Sequence, residues 1–215
     1  MLKLKLKHPV AIRWFHWINF PLLFLMIWSG LLIYWAYDVY RIGPLHFFPA
    51  WVYRVLRMDR RLAEGMALHF VFMWLFVING VAYVTYTLIS GEWRLLVPRS
   101  LSTFRDAWHV LLHNLGLHRS LPQQEKYNAA QQVSYSAIIV MGAGSVLTGL
   151  AIYKPVQLAW MAALFGGYKG ARLIHFGLTM GYLLFFIVHV WQVIRAGWNN
   201  FRGIVIGYEL VKQND

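Results

Sequence analysis

The chain has 215 residues, of which 59% are hydrophobic and 13% charged, and its formal net charge is +12 at pH 7. An ordinary soluble domain carries about 25% charged residues, so this composition excludes that class and indicates an integral membrane protein. The absence of cysteine excludes disulfides, iron–sulfur clusters, thiolate zinc sites and covalent attachment of a c-type haem.

Four apolar segments are each long enough to cross a bilayer, which requires about 20 residues per helix. The basic N-terminus before the first segment is expected to be retained, because that apolar run is too long for a signal peptide and no small-residue cleavage site follows. The sequence predicts an all-α integral membrane four-helix bundle with an interfacial or cytoplasmic helical loop, as a single domain over residues 1–215. The predicted spans cover residues 10–37, 65–90, 133–153 and 171–195.

The distribution of basic residues predicts the orientation of the chain. Twelve of the 20 lysines and arginines lie in the N-terminus, the second loop and the C-terminal tail, and eight lie in the other two loops. The positive-inside rule therefore predicts that both termini are cytoplasmic and that the chain crosses a bacterial inner membrane. The positive net charge indicates contact with anionic membrane lipid. Because no nucleic-acid motif accompanies it, nucleic acid is not an expected partner.

Histidines recur inside the predicted spans, where an imidazole costs free energy and needs a reason. The helix directions place His16 and His189 near the inner face of the membrane, and His69 and His175 near the outer face. Fourteen residues separate His175 from His189, which corresponds to about 21 Å along the axis, with the two rings within about 40° of the same face. The spacing is consistent with two metal centres, one near each membrane surface.

A single intramembrane histidine is often structural and hydrogen-bonds to a backbone carbonyl or a hydroxyl. Four histidines that sort into two levels instead favour two b-type haems, because haem needs axial nitrogens on opposing helices and no thioether. Gly30 at the outer level and Gly80 at the inner level would each leave room for a flat macrocycle. Plain helix packing explains such glycines equally well.

Several motifs together resemble the di-haem cytochrome b family, which includes membrane subunits of nickel–iron hydrogenases, formate dehydrogenase-N and thiosulfate reductase. The resemblance spans nearly the whole chain and implies two haems b with histidine axial ligands to the iron. It implies that His16 and His189 bind the inner haem, and that His69 and His175 bind the outer one. The motifs are RWFHW at 13–17, LHF at 68–70, the H-x13-H spacing before Trp191, and KYNAAQQ at 126–132.

KYNAAQQ is similar to the family motif K-F/Y-N-x-G-Q-K, which lies at the cytoplasmic end of the third helix beside a quinone. Lys126, Asn128 and Gln131 match it, whereas Ala130 and Gln132 replace the usual glycine and lysine. The resemblance implies that the three matching residues bind quinone, and their amides can donate to a quinone carbonyl. The alternative is that Asn128 only caps the following helix.

The resemblance implies a di-haem b-type cytochrome that transfers electrons across the membrane between the quinone pool and a periplasmic redox partner. Such a chain would be the membrane subunit of a respiratory oxidoreductase, and the overall pattern favours a molybdenum-containing partner subunit. One alternative is a stand-alone haem oxidoreductase that passes electrons from superoxide or ascorbate to quinone. Another is a haem-free transporter that uses its histidines as a proton relay. His109 and His113 are predicted to lie on an amphipathic cytoplasmic helix.

Overall fold

The computed structural model describes residues 2–36, 41–42, 45–46, 49–58, 60–114, 116–117 and 127–212. Within these ranges, four helices are long and apolar enough to cross a membrane, which confirms the prediction of an all-α membrane protein. The chain divides into a first unit, Met1–Tyr83 with Gln192–Asp215, and a second unit, Val84–Trp191. The four helices are Val10–Tyr34, Leu62–Ser90, Ala129–Tyr153 and Gly167–Ile206.

The first unit holds most of two long helices. Close approach between them is possible because Gly65 has no side chain, since a Cβ there would lie 2.8 Å from that of Leu32. At the other end, the rings of Phe15 and Tyr83 meet edge to face, with centroids 5.8 Å apart. The elements in chain order are β1 (Leu2–Leu6), α1 (Val10–Tyr34), β2 (Arg41–Ile42), β3 (Leu45–His46), α2 (Ala50–Val55) and α3 (Leu62–Ser90).

The end of α1 is covered by the short helix α2. Trp35 is 2% exposed and follows the last residue of α1. Its ring meets that of Tyr53 edge to face, with centroids 5.1 Å apart. Met58, just after α2, is buried as well. The Trp35–Tyr53 contact therefore holds α2 against the end of α1, while the neighbouring Arg54 is exposed.

The second unit is built around two long helices and shorter ones that cover them. A Cβ on Gly144 would lie 3.3 Å from Leu178 Cδ1, and one on Gly181 would lie 2.7 Å from Met141 Cε. These glycines therefore allow the two long helices to pack closely. The elements are α4 (Trp93–Leu96), α5 (Leu101–Asn114), α6 (Ala129–Tyr153), α7 (Ala159–Leu164) and α8 (Gly167–Ile206), and then β4 (Tyr208–Lys212) in the first unit.

A two-stranded antiparallel ribbon, absent from the sequence prediction, joins the two ends of the described chain in the first unit. Strand β1 pairs with β4 so that Leu4 lies opposite Leu210. Lys7, just after β1, donates from Nζ to Glu209 Oε2 at 2.6 Å and to Asn200 Oδ1 at 2.5 Å. The ribbon and the ion pair therefore fix the N-terminus beside the end of α8.

The helices differ from the predicted spans at several ends. Helix α1 stops at Tyr34, before residue 37, whereas α6 begins at Ala129, four residues before the predicted start. Helix α8 extends beyond 171–195 on both sides and contains Gly197 at φ 77°, where two helical segments meet. Hydropathy marks the residues that match the hydrocarbon thickness, but backbone hydrogen bonding continues into the polar interface.

Candidate functional site

The four predicted axial histidines lie on three of the long helices. His16 is on α1 and His69 on α3, while His175 and His189 are both on α8. All four side chains are partly buried. The positions of His175 and His189 on one continuous helical stretch agree with the spacing that the sequence predicted.

His69 is held by a hydroxyl of the neighbouring helix in the first unit. Ser29 Oγ lies 2.9 Å from His69 Nδ1, and the serine side chain is fully buried. The same hydroxyl is 2.7 Å from the carbonyl oxygen of Leu25, four residues earlier on α1. The next residue, Gly30, faces the ring, because a Cβ there would lie 3.5 Å from His69 Cε1. Gly30 therefore contacts the ring of a predicted ligand.

His175 has the same surroundings in the second unit. Thr148 Oγ1 lies 2.9 Å from His175 Nδ1, and Thr148 is also fully buried. This hydroxyl is 2.6 Å from the carbonyl oxygen of Gly144, again four residues earlier. A Cβ on Gly149, the following residue, would lie 3.4 Å from His175 Cε1. A hydroxyl and a glycine thus flank this ring as they flank His69.

His16 and His189 are in contact with aromatic rings. The His16 ring meets Trp17 edge to face, with centroids 5.2 Å apart. The His189 ring stacks on Phe185, one turn earlier on α8, with centroids 5.6 Å apart and planes 12° from parallel. Stacking of this kind restricts the rotation of the imidazole about its side-chain bonds.

Ser29 and Thr148 were not among the site residues that the sequence predicted. The available signal was a hydroxyl residue directly before a glycine inside an apolar span, at positions 29–30 and 148–149. The alternative considered from the sequence was a structural histidine that bonds to a carbonyl or a hydroxyl, and His69 and His175 do make hydroxyl contacts. A histidine has two ring nitrogens, so a hydrogen bond at Nδ1 is compatible with metal ligation at Nε2.

The donor set fits a b-type haem. The predicted ligands are imidazoles on long apolar helices, and two of them are anchored through Nδ1 by buried hydroxyls. This arrangement is typical of metal-ligating histidine, whose second ring nitrogen is usually hydrogen-bonded. On α3, a Cβ at Gly80 would meet nothing within 4 Å among the residues that the structure describes.

The start of α6 is organised by the predicted quinone residues. Asn128 is the N-cap and forms a capping box with Gln131, in which Asn128 Oδ1 accepts from the Gln131 backbone N–H at 2.9 Å. Gln131 Oε1 accepts from the Asn128 backbone N–H at 3.0 Å. Gln132, which replaces the family lysine, donates from Nε2 to the Tyr127 carbonyl at 3.4 Å. Lys126 lies outside the described residues.

The capping box explains the local fold without using the donor groups of the two amides. Both side chains act in it as acceptors through their oxygens, so neither NH₂ group takes part in the box. Because the oxygens are committed to the backbone, the box also fixes which end of each amide faces outward. Asn128 and Gln131 can therefore cap α6 and still offer N–H donors to a carbonyl ligand.

The sequence matches a family model described as Prokaryotic cytochrome b561 over residues 7–205, a range that includes all four histidines. It is also 33% identical over 188 residues to a protein of Azospira oryzae named as YedZ1, a subunit of a protein-methionine-sulfoxide reductase. That alignment covers 86% of this chain and 89% of the relative.

Proposed function

Since the chain belongs to the prokaryotic cytochrome b561 family of membrane haem b electron-transfer proteins, we propose that it holds two haems b and carries electrons between quinone and a periplasmic redox partner. The observation that carries this proposal is the presence of four histidines on helices long enough to cross a membrane. Family membership favours a cytochrome over the haem-free transporter considered from the sequence.

The histidines are proposed to bind the two haems in level pairs, His16 with His189 and His69 with His175. The pairing rests on the order of the helices along the chain and on the depth of each histidine within its span. Haem b supplies a reversible one-electron couple at each level. The contribution of the protein is to hold each imidazole in one orientation and to exclude water with the surrounding apolar side chains.

Quinone is proposed to bind at the start of α6. The NH₂ groups of Asn128 and Gln131 are the donors, and a quinone carbonyl is the acceptor. The capping box supports this proposal, because it holds both amides with their oxygens turned to the backbone. Tyr127 and Tyr135, whose rings meet edge to face at 5.3 Å, are neighbours of these amides along the chain.

The proposed partner is a periplasmic catalytic subunit that contains molybdenum and reduces a sulfoxide. Support comes from the A. oryzae relative, whose name makes it a subunit of a protein-methionine-sulfoxide reductase. Reduction of a sulfoxide to a thioether consumes two electrons and two protons and releases water. A quinol gives up two electrons as it is oxidised, so electrons are proposed to run from quinol through this chain to the partner.

The first loop offers a surface for such a partner. Arg54, Arg57 and Arg60 are all exposed, whereas Arg61 is paired with Glu64. Three exposed guanidinium groups close together in the chain would attract an acidic protein surface. The positive charge of these three arginines would also attract a small anion. It therefore favours a second candidate function, in which the lone chain takes electrons from superoxide or ascorbate and passes them to quinone.

Two measurements on one preparation separate these functions. The affinity-tagged chain is isolated from its own host after cross-linking, and the co-purified proteins are identified by mass spectrometry. Haem oxidation by methionine sulfoxide is then followed after reduction with a soluble quinol, with and without the captured partner. The subunit proposal expects oxidation only with the partner. Turnover of ascorbate or superoxide by the lone chain, with no partner captured, would contradict it.

A further inference from the structure

The two histidines assigned to the outer haem share one local construction, although they lie in different units. In each case a fully buried hydroxyl sits 2.9 Å from Nδ1 of the histidine. In each case the same hydroxyl is within 2.7 Å of a carbonyl oxygen four residues earlier on its own helix. The residue after the hydroxyl is a glycine whose Cα faces Cε1 of the ring. The residues are Ser29 and Gly30 beside His69, and Thr148 and Gly149 beside His175.

The donors and acceptors around each imidazole indicate its tautomer. A hydroxyl has one proton to donate, and a carbonyl oxygen can only accept. At 2.7 Å from Leu25 O and 2.6 Å from Gly144 O, the protons of Ser29 and Thr148 point to those carbonyls. The hydroxyl oxygens must then accept from the imidazoles. This arrangement corresponds to the tautomer of His69 and His175 that has the proton on Nδ1 and the lone pair on Nε2.

This tautomer is the one that an axial ligand needs, because iron coordination requires a nitrogen lone pair. The hydroxyl also prevents the ring from turning over, since a flipped ring would place a C–H against the oxygen. The glycine lies beside the ring edge, where an alanine methyl would be in ordinary van der Waals contact with Cε1. The hydroxyl therefore defines the orientation and the protonation of the ring.

We propose that Ser29 and Thr148 are positioning residues: each presents Nε2 of its own histidine, His69 or His175, to haem iron and lowers the reduction potential of the haem that this histidine binds. This inference rests on the proposed function. A hydrogen bond from Nδ1–H to oxygen makes the imidazole a stronger electron donor, which favours the ferric state. Removal of the hydroxyl should therefore raise the midpoint potential of this haem and leave the other haem unchanged.

The test compares hydroxyl-free variants with variants that keep the hydroxyl. Ser29→Ala and Thr148→Val remove it, and Thr148→Ser retains it. Thr87→Val is the matched control, because Thr87 is also buried and donates to a backbone carbonyl, that of Val84 at 2.8 Å. Redox titration of the haem absorption bands and haem content by the pyridine haemochrome method are measured for each purified protein.

Ser29→Ala should shift the ferric-to-ferrous balance of one haem by roughly threefold to tenfold, the factor that one net hydrogen bond supplies. At 59 mV per tenfold for a one-electron couple, this is a rise of about 30 to 60 mV. Thr148→Val should act in the same direction, because it removes the matching hydroxyl beside His175. Thr148→Ser and Thr87→Val should match the wild type.

A second outcome is that Ser29→Ala and Thr148→Val each lose one haem selectively, while Thr148→Ser and Thr87→Val retain both. That result would equally support the proposal that the two hydroxyls position the histidine rings. Unchanged potentials, or equal shifts of both haems, would overturn the inference. A wild-type protein without haem would instead refute the proposed function. In that case ¹⁵N NMR of the histidine rings still tests the hydroxyls: Nδ1–H is expected for His69 and His175, and the Nε2–H form would refute it.

Discussion

At the scale of single residues, His175 gives the clearest test of how the haems are bound. Its ring is oriented by Thr148 within the second unit, and it lies about 21 Å along α8 from His189. If the two levels bind haem independently, His175→Ala should remove the outer haem and leave the inner one, with haem content near one per chain. Pyridine haemochrome analysis measures this directly. Loss of both haems from a stably expressed variant would refute the pairing.

Asn128 has two separable roles, and different substitutions distinguish them. Asn128→Ala removes both the cap and the donor, so it should lower the free energy of unfolding by about 1 kcal/mol and slow haem reduction by quinol. Asn128→Ser keeps an oxygen that can cap α6 but lacks the NH₂ group. It should therefore retain the melting temperature yet weaken quinone binding by roughly threefold to tenfold.

Stopped-flow haem reduction by a soluble quinol, measured at limiting and saturating concentrations beside a melting curve, checks both variants of Asn128. Gln131→Glu provides a parallel case, because it keeps the accepting oxygen of the capping box and loses the donor. If Asn128→Ser reduces haem at the wild-type rate under both conditions, Asn128 serves only as a helix cap.

The sequence predicted the histidines but not the groups that orient them. An imidazole in an apolar span is conspicuous because its burial is costly, so His16, His69, His175 and His189 could be found by composition and spacing alone. Serine and threonine, such as Ser29 and Thr148, are common in such helices, because their hydroxyls donate a hydrogen bond to the backbone carbonyl one turn earlier. Only the packing of α1 against α3, and of α6 against α8, shows that each also reaches a histidine.

At the scale of elements, hydropathy located all four long helices but misjudged their ends. The early start of α6 depends on the capping box at Asn128, which is a polar signal outside the apolar run. The β1–β4 ribbon was missed for another reason. The alternation in LKLKL suits a strand, but its partner at 208–212 is about 200 residues away, and long-range pairing is not readable from local pattern.

Two glycines of α8 form a matched pair that tests the break in this helix. A Cβ at either Gly177 or Gly197 would meet no described residue within 4 Å, so neither substitution creates a clash within the described part of the chain. Gly197 has φ 77°, a left-handed conformation that alanine adopts only at a cost, whereas Gly177 is inside the helix. Gly197→Ala should destabilise the protein by roughly 1 kcal/mol, and Gly177→Ala should be neutral or stabilising by a similar amount.

Thermal unfolding of the two variants in the same detergent checks this prediction. Both substitutions add one methyl group at an open position, so the effect of the methyl group is the same in the two variants. The difference between their melting temperatures therefore reports the cost of the backbone conformation at residue 197. A Gly197→Ala variant as stable as Gly177→Ala would show that α8 runs straight through residue 197 in the folded protein.

At the scale of the whole molecule, the distribution of charge predicts orientation, and the absence of cysteine makes that prediction easy to test. Val156, in the loop after α6, is 82% exposed, and Leu117, in the loop after α5, is 72% exposed. With both termini cytoplasmic, the first is periplasmic and the second cytoplasmic. In intact cells a membrane-impermeant maleimide should label Val156→Cys, and it should label Leu117→Cys only after permeabilisation. The reverse pattern would invert the proposed path of electrons.

The proposal that this chain is a di-haem b cytochrome is tested most directly by a redox titration of the purified wild-type protein with quantified haem. If the four histidines form the two proposed ligand pairs, the protein should hold two haems b per chain that titrate as two one-electron components. Haem content near one per chain with a single component would contradict the two-level assignment. A protein free of haem, with all four histidines intact and correctly folded, would contradict the account as a whole.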